Sequence, residues 1–131
     1  MNKTIAFIGA GNMAEALIRG LLAAKTGKII ATDVRAERLE QLKKTYGIEI
    51  SSDNTAAAAK ADIVVLAVKP QQMSVVLKGL KIHDELVISI AAGVTTARIE
   101  RELGGEPRVV RTMPNTPTLV GAGAAAICKG R

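Results

Sequence analysis

Short apolar runs alternate along this chain with segments in which apolar residues recur at helical spacing. The short runs, each ended by glycine or by polar residues, are typical of strands buried on both faces of a sheet. The predicted strands comprise residues 4–10, 28–33, 48–50, 62–68, 85–92, 108–113 and 122–129. The intervening segments predict amphipathic helices. These comprise residues 12–24, 35–46, an alanine-rich stretch that Asp53 or Asn54 caps and that ends at 61, 70–80 and 95–103.

This alternation of strand and helix predicts one α/β domain over residues 1–131. Apolar strands joined by helices form a mostly parallel sheet with helices on both faces, and right-handed crossovers make it a doubly wound, Rossmann-type sheet. Ligands of such sheets bind at the carboxyl ends of the strands. Residues that bind a ligand are therefore expected directly after the predicted strands.

The turn after the first strand carries a dinucleotide fingerprint with alanine in place of its third glycine. Gly9 permits the tight turn, and Gly11 lets a pyrophosphate approach the backbone. The N-terminus of the following helix offers free N–H groups and the positive end of its dipole. The third position needs only a small residue, so Ala14 is acceptable. The predicted phosphate loop consists of Gly9, Ala10, Gly11, Asn12, Met13 and Ala14.

The end of the second strand gives conflicting indications about the cofactor. Asp33 stands where an acid commonly accepts the ribose 2′-hydroxyl, which favours NAD. Arg35 and Arg38 follow at once and are able to hold a 2′-phosphate, which favours NADP. Exposed helix charges are an equally good interpretation of the two arginines.

Three later strand ends carry small or polar residues, although an ordinary turn explains each of them when taken alone. After the fourth strand, an ammonium group stands beside a proline that turns the chain away. After the fifth, small residues leave room for a flat ring against the backbone. After the sixth, two prolines hold a loop over residues 114–121 that presents an amide and a hydroxyl. The residues concerned are Ala67, Val68, Lys69, Pro70, Ala91, Ala92, Gly93, Asn115 and Thr116.

Composition narrows the possible functions. The net charge of +6 suggests nucleic acid, but Phe7 and Tyr46 are the only aromatic residues, and single-strand binders need aromatic side chains for stacking. Cys128 has no second cysteine to pair with, which suits a reducing compartment. His83 is expected in a surface loop, and no residue cluster predicts a metal site. No signal peptide or membrane span is predicted, so we expect a cytoplasmic protein.

Taken together, four motifs resemble those of Δ1-pyrroline-5-carboxylate reductases, in the order and spacing of that family. They are FIGAGNMAEALIRGL (7–21), LAVKPQ (66–71), SIAAGVT (89–95) and RVVRTMPNTPTLVGAGAAAI (108–127). The last is the most specific, and the resemblance covers the whole chain. It implies transfer of hydride from NADPH or NADH to the C=N bond of Δ1-pyrroline-5-carboxylate, which gives L-proline. We expect NADP(H) to be slightly preferred over NAD(H).

The resemblance also implies roles for individual residues. The loop from Gly9 to Ala14 would bind the phosphates, and Asp33 would lie at the adenine ribose. Further cofactor contacts would come from Asn54, from Ala67 to Pro70 and from Ala91 to Gly93, while Asn115 and Thr116 would lie near the nicotinamide and the substrate.

In the family, a second, mostly helical domain follows, which forms the homo-oligomer and completes the substrate pocket. We therefore expect this chain to be the N-terminal part of a longer protein. It would bind the cofactor but turn over very slowly, since it offers no convincing proton donor for the imine nitrogen.

Three alternative functions are also compatible with the sequence. The first is another reductase, of the 3-hydroxyacid dehydrogenase type or the F420-dependent NADP reductase type, although these lack the MPNTP motif. The second is a non-catalytic nucleotide-sensing domain. The third is a basic nucleic-acid binder.

Overall fold

The computed structural model describes residues 2–114 and 125–129. Within these ranges, seven strands and five α-helices follow one another in the predicted order. The strands are β1 (Lys3–Ile8), β2 (Gly27–Thr32), β3 (Glu49–Ser51), β4 (Ile63–Leu66), β5 (Leu86–Ser89), β6 (Arg108–Pro114) and β7 (Ala125–Lys129). The helices are α1 (Asn12–Ala23), α2 (Ala36–Tyr46), α3 (Asn54–Ala59), α4 (Met73–Gly79) and α5 (Thr96–Leu103), and a short 3₁₀ turn (Pro70–Gln72) precedes α4.

The strands form one sheet in the order β3-β2-β1-β4-β5-β6-β7. All pairs up to β5–β6 are parallel, and β7 runs antiparallel to β6. The register places Ile5 of β1 between Ile29 of β2 and Ile63 of β4. The predicted doubly wound, mostly parallel sheet is confirmed.

Side-chain alternation along the central strand builds a core on each face of the sheet. Ile5 and Phe7 belong to one apolar cluster with buried residues of α1 and α2. Ala6 and Ile8 belong to another, which includes buried residues of α3, α4 and α5. Because successive side chains of a strand point to opposite faces, a strand that is apolar throughout requires cover on both sides.

Helix ends follow local sequence signals with small differences from the prediction. Thr95, the first residue of the predicted helix over 95–103, caps α5 by accepting a hydrogen bond from the Arg98 N–H. Asp53 rather than Asn54 caps α3, because its carboxylate accepts the Ala56 N–H. The predicted helix over 70–80 divides into a 3₁₀ turn and α4. The predicted loop over 114–121 lies outside the described residues, apart from its first residue, which ends β6.

Candidate cofactor-binding site

The carboxyl ends of the parallel strands meet at one edge of the sheet. The switch point lies between β1 and β4, because the chain builds the sheet outward from β1 through β2 to β3 and then returns to add β4 on the other side of β1. A crevice at such a point is where doubly wound sheets bind ligands. The predicted contact segments within the described residues all follow strand ends at this edge. They are residues 9–14, 33–35, 54, 67–70 and 91–93.

Gly9 makes the first turn and packs tightly against its neighbours. Its φ of +101° is rarely adopted by residues with a side chain. Its N–H donates to the Thr32 carbonyl at 3.0 Å, and a Cβ placed on it would lie 2.7 Å from the Ala67 carbonyl oxygen. Only glycine fits this junction of three strand ends without displacing backbone.

Gly11 and Ala14 have opposite surroundings. A Cβ on Gly11 would meet no atom within 4 Å, so the loop faces open space there, as the approach of a pyrophosphate requires. Ala14 is 1% exposed and packs in the apolar cluster beneath α1 and α2. Its methyl group points into the core, so alanine in place of the third glycine does not obstruct the open side.

The N-terminus of α1 presents backbone donors at this open side. The helix has no side-chain cap, and the Glu15 N–H is the first to be bonded in helical fashion, to the Gly11 carbonyl at 3.0 Å. The N–H groups of Asn12, Met13 and Ala14 therefore have no acceptor within the helix. Together with the helix dipole, they favour an anion at this position.

Asp33 connects the first two strand ends. Its carboxylate accepts the Ala10 N–H at 2.9 Å and the Arg35 N–H at 2.9 Å. The Arg35 guanidinium also donates to both carboxylate oxygens, at 2.9 and 3.0 Å. The hydrogen bonds from the Arg35 side chain, aided by the two backbone N–H groups, lower the pKa of Asp33 to about 2. This carboxylate is therefore ionised and fully paired at neutral pH.

The two arginines that the sequence could not distinguish have different surroundings. The Arg35 side chain is 60% exposed at the rim of the site, whereas that of Arg38 is 14% exposed. Arg38 Nε donates to the Ala10 carbonyl at 2.7 Å, and its Nη2 lies 3.4 Å from the Gly11 carbonyl. The interpretation of Arg38 as an exposed helix charge is therefore wrong, because its guanidinium lies behind the predicted phosphate loop.

Glu15 and Tyr46 complete the surroundings of Arg38. One Glu15 carboxylate oxygen accepts from Arg38 Nη2 at 2.6 Å, and the other accepts the Tyr46 hydroxyl at 2.9 Å. The hydrogen bond from Arg38 is the main cause that lowers the pKa of Glu15. Burial and the hydrogen bond to Glu15 raise the pKa of Tyr46. The network links α1 with both ends of α2.

Asn54 is held at the end of β2 by a buried hydroxyl. The Thr32 hydroxyl lies 2.6 Å from Asn54 Oδ1 and 3.3 Å from the Phe7 carbonyl oxygen. Thr32 is 1% exposed. Because the Asn54 oxygen is occupied by the hydroxyl, its amide group is the part left to serve as a donor.

The loop after β4 leaves its polar residue exposed. The Ala67 N–H donates to the Ile8 carbonyl at 2.8 Å, so this loop begins directly beside the Gly9 turn. Val68 is half-buried against that turn, while Lys69 and Pro70 are exposed. Pro70 opens the 3₁₀ turn, as its fixed φ favours.

The loop after β5 is fixed by its own strand. The Ala91 N–H donates to the buried hydroxyl of Ser89 at 3.2 Å. Ala92 and Gly93 are exposed, and Gly93 has a φ of +72°. Ala92 and Gly93 thus leave the surface beyond the end of β5 open to solvent.

Asn115 and Thr116 fall outside the described residues, so their proposed proximity to nicotinamide and substrate stays a prediction.

His83 is exposed before β5, at the opposite edge of the sheet, which confirms the surface-loop prediction. In the described ranges, no three His, Cys, Asp or Glu residues come together in a metal-binding group. No helix among those residues has the length and apolar character that crossing a membrane requires.

Sequence reasoning missed the hydroxyl of Thr32 and the network of Glu15 and Tyr46. Each acts on a residue more than 20 positions away: Thr32 on Asn54, and Tyr46 on Glu15. No local spacing rule connects such pairs. For Thr32 the one available signal was a hydroxyl at the end of the apolar run of β2, whereas Glu15 stands among the exposed polar residues Asn12 and Arg19 of α1 and gave no such signal.

A glycine turn opening to solvent at a helix N-terminus, placed at the switch point of a doubly wound sheet, defines a dinucleotide-binding domain. Similarity to known proteins places this domain among the oxidoreductases. Residues 4–93 match the family described as NADP oxidoreductase, coenzyme F420-dependent, and the chain belongs to that family.

Similar proteins extend the match beyond residue 93. A pyrroline-5-carboxylate reductase of Vibrio alginolyticus is 45% identical over 96% of this chain and 48% of its own length. A solved structure of a pyrroline-5-carboxylate reductase from Coxiella burnetii has a TM-score of 0.94 and 41% identity, covering 100% of this chain and 51% of that one. The resemblance inferred from the motifs is confirmed.

A third relative has a cofactor in its structure. The pyrroline carboxylate reductase of Plasmodium falciparum, solved with NADP bound, has a TM-score of 0.85 and 32% identity, over 99% of this chain and 49% of that one. The chain therefore spans about half the length of the reductases that it matches.

Proposed function

We propose that this chain is the cofactor-binding part of a Δ1-pyrroline-5-carboxylate reductase, which reduces the C=N bond of its substrate to give L-proline. The observation that carries this proposal is the extent of the match. Reductases with this activity in their names align over 94–100% of the chain at 39–45% identity. We place the reaction in the cytoplasm, where its reduced nicotinamide cofactor is available.

The geometry of the site fits NAD(P)H. The free N–H groups of Asn12 and Met13 would hold the pyrophosphate, beside the space that glycine leaves open at position 11. The Asp33–Arg35 pair would lie at the adenine ribose, and the small residues 91–93 after β5 would lie along the extended cofactor. When bound, the cofactor supplies the hydride. The chain's own contribution is to position it, which in oriented reactions accounts for up to roughly 7–11 kcal/mol of the barrier.

A second domain would supply what this chain lacks. We propose that the part of the relatives beyond their match here completes the substrate pocket, provides the hydrogen bond to the imine nitrogen and forms a homo-oligomer. The support is the coverage of about half of each relative. We expect the 131-residue chain to bind the cofactor with very low turnover.

A chimera tests this division of labour. The second half of the Vibrio alginolyticus reductase, fused after residue 131, is expected to restore NADPH oxidation that depends on pyrroline-5-carboxylate and yields proline. The chain alone should bind NADPH without that turnover. Turnover by the chain alone at the relative's rate would contradict the division. A chimera that binds NADPH but forms no proline, with the intact relative active beside it, would contradict the proposal that this chain is the cofactor-binding partner of such a second half.

We propose a slight preference for NADP(H). Arg35 is exposed and charge-balances Asp33, so a 2′-phosphate would meet a guanidinium beside a neutralised carboxylate. Arg35→Ala is expected to weaken NADPH binding about ten-fold while leaving NADH binding within about two-fold. Asp33→Ala should weaken NADH binding more than NADPH binding. Calorimetric titration with both cofactors measures these effects, and unchanged NADPH affinity in Arg35→Ala would exclude the 2′-phosphate role.

A second candidate is an oxidoreductase of the F420-dependent NADP type, because the matching family carries that description over residues 4–93. The match to pyrroline-5-carboxylate reductases runs past that segment to the end of the chain, which favours the first candidate. The substrate dependence of the chimera does not separate the two candidates for this chain, because the substrate pocket of the chimera would come from the Vibrio alginolyticus half. Within this chain, the test is whether an F420 cofactor binds together with NADP and exchanges hydride with it.

A further inference from the structure

The guanidinium of Arg38 contacts the rear of the predicted phosphate loop. It donates to the carbonyl oxygen of Ala10 at 2.7 Å and approaches that of Gly11 at 3.4 Å. These two carbonyls belong to consecutive peptide groups. The side chain is 14% exposed, and Nη1 donates to Gln41 Oε1 at 3.0 Å.

The geometry of a peptide group connects these carbonyls to the open side of the loop. In a trans peptide the C=O and N–H bonds point in opposite directions, and the described residues contain no cis peptide. The Ala10 carbonyl shares its peptide with the Gly11 N–H, and the Gly11 carbonyl shares its peptide with the Asn12 N–H. A donor that holds both carbonyls from behind therefore directs both N–H groups forward.

Acceptors around the guanidinium keep it in this position. Glu15 accepts from Nη2 at 2.6 Å and is itself held by the Tyr46 hydroxyl at 2.9 Å. The preceding peptide is fixed independently, because the Ala10 N–H donates to the Asp33 carboxylate. The peptides on either side of Ala10 are thus each held by a charged side chain, Asp33 or Arg38, whereas the Gly11 carbonyl accepts the Glu15 N–H at 3.0 Å as well as the more distant guanidinium.

We propose that Arg38 is a positioning residue that orients the Gly11 and Asn12 N–H groups toward the cofactor pyrophosphate, and is not a ligand of the 2′-phosphate. This inference rests on the proposed function, since it presumes that a dinucleotide occupies the loop. It assigns different chemistry to two arginines three residues apart: Arg35 at the ribose, Arg38 behind the phosphates.

Two small nucleotides separate these roles. ADP carries a pyrophosphate without a 2′-phosphate, and adenosine 2′-monophosphate carries the 2′-phosphate without a pyrophosphate. Arg38→Gln is expected to weaken ADP binding about ten-fold and to leave binding of adenosine 2′-monophosphate within about two-fold. Binding of NADPH and binding of NADH should weaken by the same factor as binding of ADP. Lys44→Gln removes an equal charge from an exposed position of the same helix and should leave all four affinities unchanged.

Arg38→Lys provides a second, milder variant should the glutamine variant fail to fold. Lysine keeps the charge but lacks the planar fork that reaches two carbonyls, so ADP binding is expected to weaken by a smaller factor, about three-fold. Amide resonances of Gly11 and Asn12 should shift in this variant and not in Lys44→Gln.

Other outcomes would overturn the inference. Loss of adenosine 2′-monophosphate binding with ADP binding retained would make Arg38 a 2′-phosphate ligand. Unchanged ADP binding in a folded Arg38→Gln or Arg38→Lys variant would remove the positioning role. Neither result would contradict the proposed function. That function fails instead if the unmodified chain binds neither NADPH nor NADH.

Discussion

Two turns of this molecule share a local design and differ in what holds them. The β1–α1 turn contains Gly9, and the β5–α5 turn contains Gly93; each follows a buried parallel strand, has a positive φ and leads into a helix. A Cβ on Gly9 would lie 2.7 Å from a backbone carbonyl of β4's end, whereas one on Gly93 would meet nothing within 4 Å. The first turn is closely packed, while the second is open.

The anchors of the two turns differ in the same way. The Ala10 N–H is held by the carboxylate of Asp33, 23 residues away, whereas the Ala91 N–H is held by the hydroxyl of Ser89, two residues away. The first turn thus takes its shape from the assembled sheet, and the second takes it from its own strand. A turn held by several elements keeps its donors in place before a ligand arrives, which reduces the ordering cost of binding.

Alanine in place of each glycine tests the packing difference most strongly. Gly9→Ala combines an unfavourable φ with a backbone clash, so we expect a loss of about 3 kcal/mol or more in the free energy of unfolding. Gly93→Ala should lose only the conformational term, about 1 kcal/mol. Urea denaturation measures both. Equal losses would mean that the Ala67 carbonyl yields without cost and that the first turn is as open as the second.

The charged anchor makes the first turn sensitive to acid. Folding lowers the pKa of Asp33 from its ordinary value of 3.8 to about 2, chiefly through its hydrogen bonds with Arg35. A lowered pKa contributes stability that is complete above the unfolded value and is lost as the pH falls toward the folded one. Because Arg35 is largely exposed, we discount this contribution to roughly 1–2 kcal/mol.

Asp33→Asn isolates that contribution. The variant should be less stable than the unmodified chain above pH 4, and the difference should narrow between about pH 4 and pH 2. Urea midpoints recorded across this interval provide the measurement. A difference that stays constant down to pH 2 would show that ionisation of Asp33 does not stabilise the turn.

The same contrast between local and distant contacts explains which features could be predicted from the sequence. The strands, the helices and the glycine turn follow from local periodicity and turn chemistry, which act over a few residues. The position of Arg38 does not, because its acceptors Ala10 and Gly11 lie 28 and 27 residues away and come within reach only when α2 packs beside β1. From the sequence, Arg35 and Arg38 look equivalent.

Asn54 and Ser89 illustrate the same limit. The resemblance to a family pointed to Asn54, yet the Thr32 hydroxyl that holds its side chain becomes a neighbour only through the pairing of the strands. Ser89 is a polar residue within an apolar run, which periodicity treats as an interruption. Its function is visible only once the Ala91 N–H is seen to turn back toward it.

Removal of the neutral anchor should have the smallest effect of these changes. Ser89→Ala leaves the buried Ala91 N–H without its acceptor, so we expect a loss of about 1 kcal/mol in the free energy of unfolding. Since a hydroxyl does not titrate in acid, the loss should be the same at pH 7 and pH 3, unlike that of Asp33→Asn. Ser52→Ala, at an exposed position, is the control and should change stability little. A loss in Ser89→Ala that grew or shrank with pH would mean that the second turn, too, depends on a distant charge.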